Sequence, residues 1–441
     1  MNQENTTSRR EFIRTSGAVT AGLMAAPFVL TGRGAGLSPG DTIKVGLIGC
    51  GGRGNGAAAD ALAADPGTVL YAMGDLDAAK IETGLREVTK GLTEPSRVRV
   101  PAERQFTGFD AYEKVLASGV DVVLLTTPPG FRPMHFAAAV AAGKHAFLEK
   151  PVATDVAGVR SVRASALEAK RKGLGVQSGF CWRANPSRIE FFKRIHAGQI
   201  GEVRSLYHTY LAGPVKPMPA ADSRRAGMSD VEWQVRNWYN FVWLSGDGLV
   251  EQACHSVDKM FWAMKDVPPL RCTALGGRAT PNREGNIYDH IEVNFEWAGG
   301  VRGFMAQRQI PGCHSETKDY ITGSKGTGLL GGRRGVELTT GDETWRYEGP
   351  ESESQMFGKM YQNEHASFLA SIRKGEPIND GEHMCNATLM AIMGRMAAYT
   401  GQEITWEQIL ESKEKLVPDN LQWDMALPIA PMAVPGKTKF I

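Results

Sequence analysis

Short hydrophobic runs recur along the first part of the chain and are separated by segments with helical spacing. These runs cover residues 43–48, 68–73, 120–125, 146–149 and 175–179. Runs of apolar residues without alternation are typical of parallel strands that are covered on both faces. Strands that alternate with helices indicate a doubly wound sheet. The pattern therefore predicts an α/β domain of this type over residues 41–180.

The pattern changes after residue 180, where strands are separated by turn-rich segments. A helix is predicted over 186–197, strands over 202–211, 270–276, 287–297 and 301–310 and onwards to about 348, and helices over 356–374 and 384–400. Gly299 and Gly300 predict a hairpin turn between two of these strands. We therefore expect a second domain over residues 181–408. A proline-rich tail over 409–441 should lack regular structure and wrap a neighbouring chain.

The N-terminal segment differs in character from both domains. Paired arginines, Arg9 and Arg10, precede Phe12, and a mildly apolar run follows over residues 18–30. This resembles a twin-arginine export signal over residues 1–36. The resemblance implies contact with the twin-arginine export machinery and a periplasmic location. An uncleaved membrane anchor and a basic amphipathic helix are the alternatives.

Composition narrows the class of protein. Hydrophobic residues make up 42% of the 441 residues, charged residues 22%, and the formal net charge is +2. So small a net charge gives no indication of nucleic-acid binding. The six cysteines are irregularly spaced without a Cys-x-x-Cys motif. We interpret them as small buried apolar residues and predict no metal site.

A glycine-rich loop follows the first predicted strand and opens a helix. Gly49, Gly51 and Gly54 match G-x-G-x-x-G, and Gly52 and Arg53 lie in the same loop. The first glycine permits the turn, the second lets the backbone approach a pyrophosphate, and the third allows close helix–strand packing. Free amides and the helix dipole would hold the anion. We predict a dinucleotide site.

The ends of later strands supply the rest of that site. Asp75 ends the second strand, where a carboxylate can accept hydrogen bonds from the adenosine ribose and repel a 2′-phosphate. The cofactor prediction is therefore NAD rather than NADP. Ligands in doubly wound sheets bind beyond the carboxyl ends of strands. Further contacts are thus predicted from Thr127, Pro128, Glu149 and Lys150.

The segment "VEQACHSVD" carries candidate acid–base chemistry. Glu251 and His255 are four residues apart, so a continuous helix would place them side by side. Asp258 would continue the same polar stripe. An ordinary structural ion pair is the alternative interpretation, and the predicted dinucleotide domain favours the catalytic one.

Several motifs together resemble the glucose–fructose oxidoreductase and inositol 2-dehydrogenase (Gfo/Idh/MocA) family. They are "GLIGCGGRG", "TTPPGFRPMHFAAAVAAGKH", "LEKP" and "GDGLVEQACHSVDKMFWAM", within a similarity that spans residues 41–408. The family implies a doubly wound domain followed by an open, mainly antiparallel sheet with helices on one face. It also implies NAD(P)-dependent hydride transfer between nicotinamide and a ring hydroxyl carbon of a sugar, glycoside or cyclitol, often in a homo-oligomer.

Two other functions stay open at this point. Some relatives in this family are NAD-dependent glycoside hydrolases or lyases that use transient oxidation. A non-enzymatic dinucleotide-binding protein is the third possibility. Many members of the family have aspartate where this chain has Glu251, which leaves the substrate class open.

The resemblance suggests roles for three residues. We hypothesise that His255 is the base, Lys150 its electrostatic and proton partner, and Glu251 a modulator of His255. The base is not uniquely assigned, because the lysine can also relay the proton. Substrate contacts are predicted from "CWRANP", "EWQVRNWYNFVW" and the histidine segment: Trp182, Arg183, Asn185, Arg236, Trp238, Trp243 and Asp258. For the aromatic residues among these, a place in the core is the alternative.

Overall fold

A computed structural model of the chain describes residues 40–280, 284–331 and 335–441. The segment that resembles a twin-arginine signal lies outside these ranges. None of the helices within them combines the length and the apolarity needed to cross a membrane.

The described residues form two sheets with helices between and around them. The strands are β1 (Ile43–Ile48), β2 (Thr68–Asp75), β3 (Gln105–Thr107), β4 (Val122–Leu125), β5 (His145–Leu148), β6 (Val176–Ser178), β7 (Val203–Ala212), β8 (Arg271–Gly277), β9 (His290–Glu296), β10 (Arg302–Gln309), β11 (Asp319–Gly323), β12 (Gly326–Leu330), β13 (Val336–Thr340), β14 (Glu343–Arg346) and β15 (Ile404–Thr405). The helices are α1 (Gly52–Ala64), α2 (Ala78–Gly91), α3 (Ala111–Ala117), α4 (Arg132–Ala141), α5 (Val156–Arg171), α6 (Pro186–His196), α7 (Asp230–Arg236), α8 (Val242–Ser245), α9 (Gly248–Glu251), α10 (Cys254–Ala263), α11 (Glu353–Arg373), α12 (Gly381–Thr400) and α13 (Trp406–Glu411).

The first sheet contains six parallel strands in the order β3-β2-β1-β4-β5-β6. The order reverses between β1 and β4, which is where doubly wound sheets bind their ligands. Helices α1 and α2 pack on one face and α3, α4 and α5 on the other. The predicted α/β fold is confirmed.

Helix α11 also belongs to the packing of this first sheet, although it lies far along the chain. Its Phe368, Leu369 and Ile372 are buried in the same cluster as the residues of β1 and α1. Arg373 donates to the carboxylate of Asp65 at 2.6 Å. The hydrophobic core of the first sheet therefore includes residues that follow the second sheet's main strands in the chain.

The second sheet has nine strands in the order β14-β13-β12-β11-β7-β10-β9-β8-β15. Only β7 and β10 pair in parallel, and the other neighbours are antiparallel. Gly299 and Gly300 both have positive φ and form the hairpin turn between β9 and β10, as predicted. Helices α6, α10 and α12 cover one face. The expected open, mainly antiparallel sheet is confirmed.

One smaller expectation needs correction. Cys313 is exposed in the turn region between β10 and β11, whereas the other five cysteines are buried as expected. Beyond Glu411 the C-terminal tail has no helix or strand, and it packs on its own chain. Asn286 and Tyr288 donate side-chain hydrogen bonds to its backbone carbonyls at 3.1 and 2.9 Å.

Candidate active site

A cavity of about 990 Å³ lies at the carboxyl ends of the first sheet's strands. Its wall contains every residue predicted for the cofactor and all three predicted for catalysis: Gly49, Gly51, Gly52, Arg53, Gly54, Asp75, Thr127, Pro128, Glu149, Lys150, Glu251 and His255. A volume of this size suits a cofactor together with a small substrate. Across the three described ranges, no group of three or more His, Cys, Asp or Glu side chains could hold a metal ion.

The glycine loop has the geometry that a dinucleotide requires. Gly49 has φ +100°, and a Cβ there would lie 2.7 Å from the backbone N of Thr127. A Cβ on Gly54 would lie 2.0 Å from the carbonyl oxygen of Gly49, so this glycine allows α1 to pack against the loop. Gly51 and Gly52 have no atom within 4 Å of such a Cβ and face open space. The loop therefore leaves room for a pyrophosphate beside the α1 amides.

Asp75 holds this loop in place and faces the cavity at the end of β2. Its Oδ2 accepts from the backbone N of Cys50 at 2.7 Å, and its Oδ1 accepts from the backbone N of Asp77 at 3.0 Å. Each oxygen retains a further lone pair for a ribose hydroxyl. Asp77 itself caps α2 by accepting from the backbone N of Ala79. The residues present fit NAD.

Arg53 is held by carboxylates at the edge of the loop. It forms ion pairs with Glu149, Asp60 and Glu364, and its guanidinium lies 4.6 Å from the ring centre of Tyr361. Burial opposes its charge, but Glu149, Glu364 and Asp60 together outweigh burial and raise the pKa of Arg53. Burial and Glu149 raise the pKa of Glu364 well above the ordinary value. The guanidinium therefore lies in the cavity wall in a fixed orientation.

Lys150 follows β5 and extends across the cavity to the second domain. Its Nζ donates to the backbone carbonyl oxygen of Glu251 at 2.6 Å and to the Oε1 of the same residue at 3.2 Å. Burial alone would lower the pKa of Lys150, but the Glu251 carboxylate, together with Glu149 and other nearby groups, outweighs burial and raises the pKa above its usual value. Lys150 is therefore a cation at neutral pH.

The expected continuous helix through Glu251 and His255 is wrong. Helix α9 ends at Glu251 and α10 begins at Cys254. The backbone N of His255 donates to Gln252 at 3.5 Å, not to the carbonyl of Glu251, which a continuous helix would use. The break frees that carbonyl for Lys150. Glu251 consequently pairs with Lys150, and the expected partnership between Glu251 and His255 is replaced by this ion pair.

His255 is a neutral base in this setting. Burial lowers the pKa of His255 well below its usual range, and the positive charges of Lys150 and Lys259 lower it further. Its Nδ1 is buried without a hydrogen-bond partner among the described residues. The imidazole is therefore unprotonated at neutral pH and can accept a proton in the cavity.

Three of the predicted substrate residues line the cavity: Trp182, Arg236 and Trp238. Trp182 has the guanidinium of Arg188 over its ring at 5.0 Å. Arg236 lies close to the end of β2, where it pairs with Asp77 at 3.3 Å. Arg236 therefore lies on the side of Asp75 rather than beside Lys150.

Arg183 and Asp258 lie outside this cavity, contrary to prediction. They bind each other, with Arg183 Nη2 donating to Asp258 Oδ1 at 2.9 Å. Asp266 and His383 complete the network. Burial raises the pKa of Asp258, but Arg183 and His383 outweigh burial and lower it. The pair joins α10 to the turn before α6 and to α12.

Asn185 and Trp243 are also absent from the cavity wall. Asn185 is fully buried, and its side chain caps α6 by accepting from the backbone N of Ser187 and Arg188. Trp243 is buried and donates to the side chain of Gln234 at 2.7 Å. Asn185 and Trp243 therefore belong to the core, although Trp182 and Trp238 in the same segments line the cavity.

The lining residues that the sequence prediction did not name include Tyr210, Gln252, Arg188 and Trp423. Tyr210 lies on β7, and Arg188 lies on α6 two residues after the predicted "CWRANP" segment. Both residues lie on elements that the sequence predicts, so the hydrophobic pattern could have indicated them. Trp423 lies in the irregular tail, where no periodicity relates it to the cavity.

A glycine loop on a doubly wound sheet, beside a neutral histidine and a buried lysine, defines an NAD-binding oxidoreductase site. The model of the oxidoreductase family with an NAD-binding Rossmann fold, Gfo/Idh/MocA, matches residues 43–178. An inositol 2-dehydrogenase of Paracoccus denitrificans is 30% identical over 302 residues, which cover 68% of this chain and 77% of the relative. The chain belongs to the Gfo/Idh/MocA family.

Two further proteins are similar to this chain. A glycosyl hydrolase family 109 protein of Shewanella pealeana is 24% identical over 343 residues, covering 73% of this chain and 66% of that protein. The crystal structure of the WlbA dehydrogenase from Bordetella pertussis, in complex with NADH and UDP-GlcNAcA, has a TM-score of 0.63. At 19% identity, over 83% of this chain and 98% of the other, it shows the shared fold.

Proposed function

We propose that the protein is an NAD-dependent oxidoreductase acting on a ring hydroxyl carbon of a sugar, glycoside or cyclitol. One observation carries the proposal: Lys150, as a cation tied to Glu251, and His255, as a neutral imidazole, line the same cavity as the glycine loop. Removing hydride from a carbinol carbon leaves a proton on the oxygen, which needs a base and a nearby positive charge.

The residues divide this work between them. Bound NAD would supply the acceptor for the hydride of the substrate carbon. His255 takes the hydroxyl proton, because it is unprotonated and lies in the cavity wall. Lys150 donates a hydrogen bond to the oxygen as negative charge develops there. Glu251 keeps Lys150 charged and fixes its direction through the backbone carbonyl. Trp182 offers an aromatic face for a ring with apolar C–H edges.

Product analysis tests this proposal. The full-length protein would be incubated with NAD and a panel of inositols, free sugars and glycosides, with His255→Ala as the matched control. The expected result is NADH together with a product two hydrogens lighter than its substrate by mass spectrometry. A panel that gives neither NADH nor any changed carbohydrate would overturn the proposal and favour a non-enzymatic dinucleotide-binding protein.

A second candidate is an NAD-dependent glycoside hydrolase or lyase that returns the hydride in each turnover. The similarity to a glycosyl hydrolase family 109 protein over 73% of this chain favours including it. The same residues serve both reactions, because both begin by oxidising a ring hydroxyl. The assay above separates them. The hydrolase releases free sugar and aglycone from a glycoside without net NADH, whereas the dehydrogenase leaves the glycosidic bond intact.

We also propose that the protein is exported through the twin-arginine route to the periplasm. The support is the pair Arg9 and Arg10 before Phe12 and a mildly apolar run. Export in the folded state would allow the cofactor to be loaded before transport. Replacing both arginines by lysine should move the protein from the periplasmic to the cytoplasmic fraction. An unchanged distribution would contradict the proposal.

A homo-oligomer is proposed from the uncovered face of the second sheet. Tyr207 and Tyr320 stack there with ring centres 6.0 Å apart, and Leu275 on β8 is 79% exposed. Exposed apolar groups on one sheet face favour association with a second copy. Leu275→Glu should lower the mass seen by sedimentation. Leu167→Glu, on an exposed leucine of α5, should leave it unchanged. A wild-type monomer would refute the proposal.

A further inference from the structure

The two ends of the cofactor cavity can be told apart from the strand order. Asp75 ends β2, and in doubly wound dinucleotide folds the acid at this position binds the adenosine ribose. Lys150 follows β5, which is separated from β2 by β1 and β4. At about 4.8 Å between neighbouring strands, the two ends are about 14 Å apart. The adenosine end therefore lies beside Asp75 and the reactive end beside Lys150.

The C-terminal tail reaches the adenosine end. Trp423 lines the cavity together with Phe109 and Arg236. The rings of Trp423 and Phe109 meet edge to face, with centres 5.7 Å apart. The guanidinium of Arg236 lies 6.0 Å from the centre of the indole. The indole of Trp423 therefore contacts Phe109 of the first domain and Arg236 of the second.

Hydrogen bonds fix the tail on both sides of Trp423. Before it, the backbone N of Leu416 donates to Asp155 at 2.6 Å. At the residue itself, Ser229 Oγ donates to the Trp423 carbonyl. After it, the backbone N of Leu427 donates to the carboxylate of Asp230 at 3.0 Å. The position of the indole is therefore determined by bonds to the folded body.

Apolar contacts hold the same stretch of tail. Leu421, Leu427 and Ile429 pack against a cluster that contains Phe131 and Trp233. Partial burial of these leucine and isoleucine side chains removes apolar surface from water and stabilises this arrangement of the tail. The tail is therefore an integral wall of the protein at this position and not a loose end lying on the surface.

We infer that the C-terminal tail completes the NAD site, with Trp423 closing the adenosine end and offering its indole to the adenine. This inference rests on the assignment of NAD to the cavity. Bases stack on aromatic side chains, and such contacts strengthen binding because every base has an aromatic face.

Binding of NAD and of its two halves tests the inference without any turnover. The full-length protein and its Trp423→Ala variant would be titrated with NAD, AMP and nicotinamide mononucleotide by calorimetry. Trp423→Ala should weaken NAD and AMP about tenfold and leave nicotinamide mononucleotide unchanged. Trp423→Phe should restore most of the affinity. Phe440→Ala, an aromatic in the same tail that packs on the main core, is the matched control and should bind NAD like the wild type.

Three outcomes would overturn the inference. Equal NAD affinity for Trp423→Ala and wild type would place adenine elsewhere. Equal loss for AMP and nicotinamide mononucleotide would mean that Trp423 supports the fold only. Failure of the wild-type protein to bind NAD would contradict both the cofactor assignment and this inference. The titration of the wild type is sufficient to detect that failure. NAD binding without carbohydrate turnover would instead contradict the proposed function and leave this inference standing.

Discussion

Lys150 contacts Glu251 twice, through the carboxylate and through the backbone carbonyl that the interrupted helix leaves free for it. The carbonyl bond fixes where the ammonium group lies, and the carboxylate makes the largest single contribution in favour of its charge. Position and charge are thus supplied by different atoms of one residue. Substitutions at Glu251 can change the charge while leaving the backbone bond in place.

Glu251→Gln should separate these two effects. The amide keeps the size of the side chain but removes the negative charge that raises the pKa of Lys150 against burial. We expect kcat/KM to fall about tenfold, as for the loss of a modest electrostatic contribution, with NAD affinity unchanged. Glu251→Asp, which keeps the charge, is the control and should retain most activity. Equal losses for both variants would mean that side-chain length matters and charge does not.

His255→Ala should abolish oxidation and spare cofactor binding. Loss of a positioned general base typically costs about 10²–10⁴ in rate. We expect kcat/KM to drop into that range, while the Kd for NAD measured by fluorescence stays close to that of the wild type. Loss of NAD binding in this variant would identify His255 as a structural residue.

The pH profile distinguishes the two candidate bases. The pKa of His255 is lowered by burial and by Lys150, so this base stays unprotonated as the pH falls through the ordinary value near 6.5. We expect kcat/KM for oxidation to be level across neutral pH and to decline only in acid. A base at Lys150, whose pKa is raised above the ordinary lysine value, would instead give rates that rise with pH into the alkaline range.

Two glycines of the loop should respond differently to the same substitution. Gly54→Ala places a Cβ 2.0 Å from the carbonyl of Gly49, so both stability and NAD affinity should fall. Gly51→Ala meets no atom within 4 Å, so the fold should keep its melting temperature while NAD binding weakens. Thermal melts and NAD titrations of both variants test this. A Gly51→Ala variant that binds NAD normally would show that the pyrophosphate does not approach this glycine.

Asp258→Asn tests whether Asp258 stabilises the fold or contacts the substrate. Asp258 is 1% exposed and accepts from both Arg183 and His383. Breaking a buried ion pair by removing one charge costs about 3–5 kcal/mol. Urea unfolding should show a loss of this size, with KM unchanged in the protein that remains folded. A raised KM with an unchanged free energy of unfolding would indicate that Asp258 contacts the substrate.

The parts of the site that sequence predicts well depend on local geometry. Gly49 and Gly54 are required by close backbone contacts within the loop itself, and Asp75 and Lys150 lie where strands end. Strand ends converge in any doubly wound sheet, so the order of elements was enough to bring them together. These features do not depend on contacts with distant side chains.

The errors arose where distant groups decide local conformation. Because the helix breaks after Glu251, the carbonyl of Glu251 accepts a hydrogen bond from Lys150, which lies about one hundred positions earlier in the chain. A short helical turn over Cys181–Ala184 directs Trp182 to the cavity and Arg183 to Asp258, so adjacent residues serve different purposes. Helical or strand periodicity contains no information about either contact.

The packing of helix α11 on the first sheet has a consequence for synthesis of the protein. Residues of β1 emerge from the ribosome some three hundred positions before Phe368, Leu369 and Ile372, which cover the same cluster. Domains generally fold as units in N-terminal to C-terminal order during synthesis. Here the first unit keeps an uncovered apolar surface until almost the whole chain has been made. Chaperones therefore have a long interval in which to bind it, and truncated chains should aggregate rather than accumulate as a stable nucleotide-binding fragment.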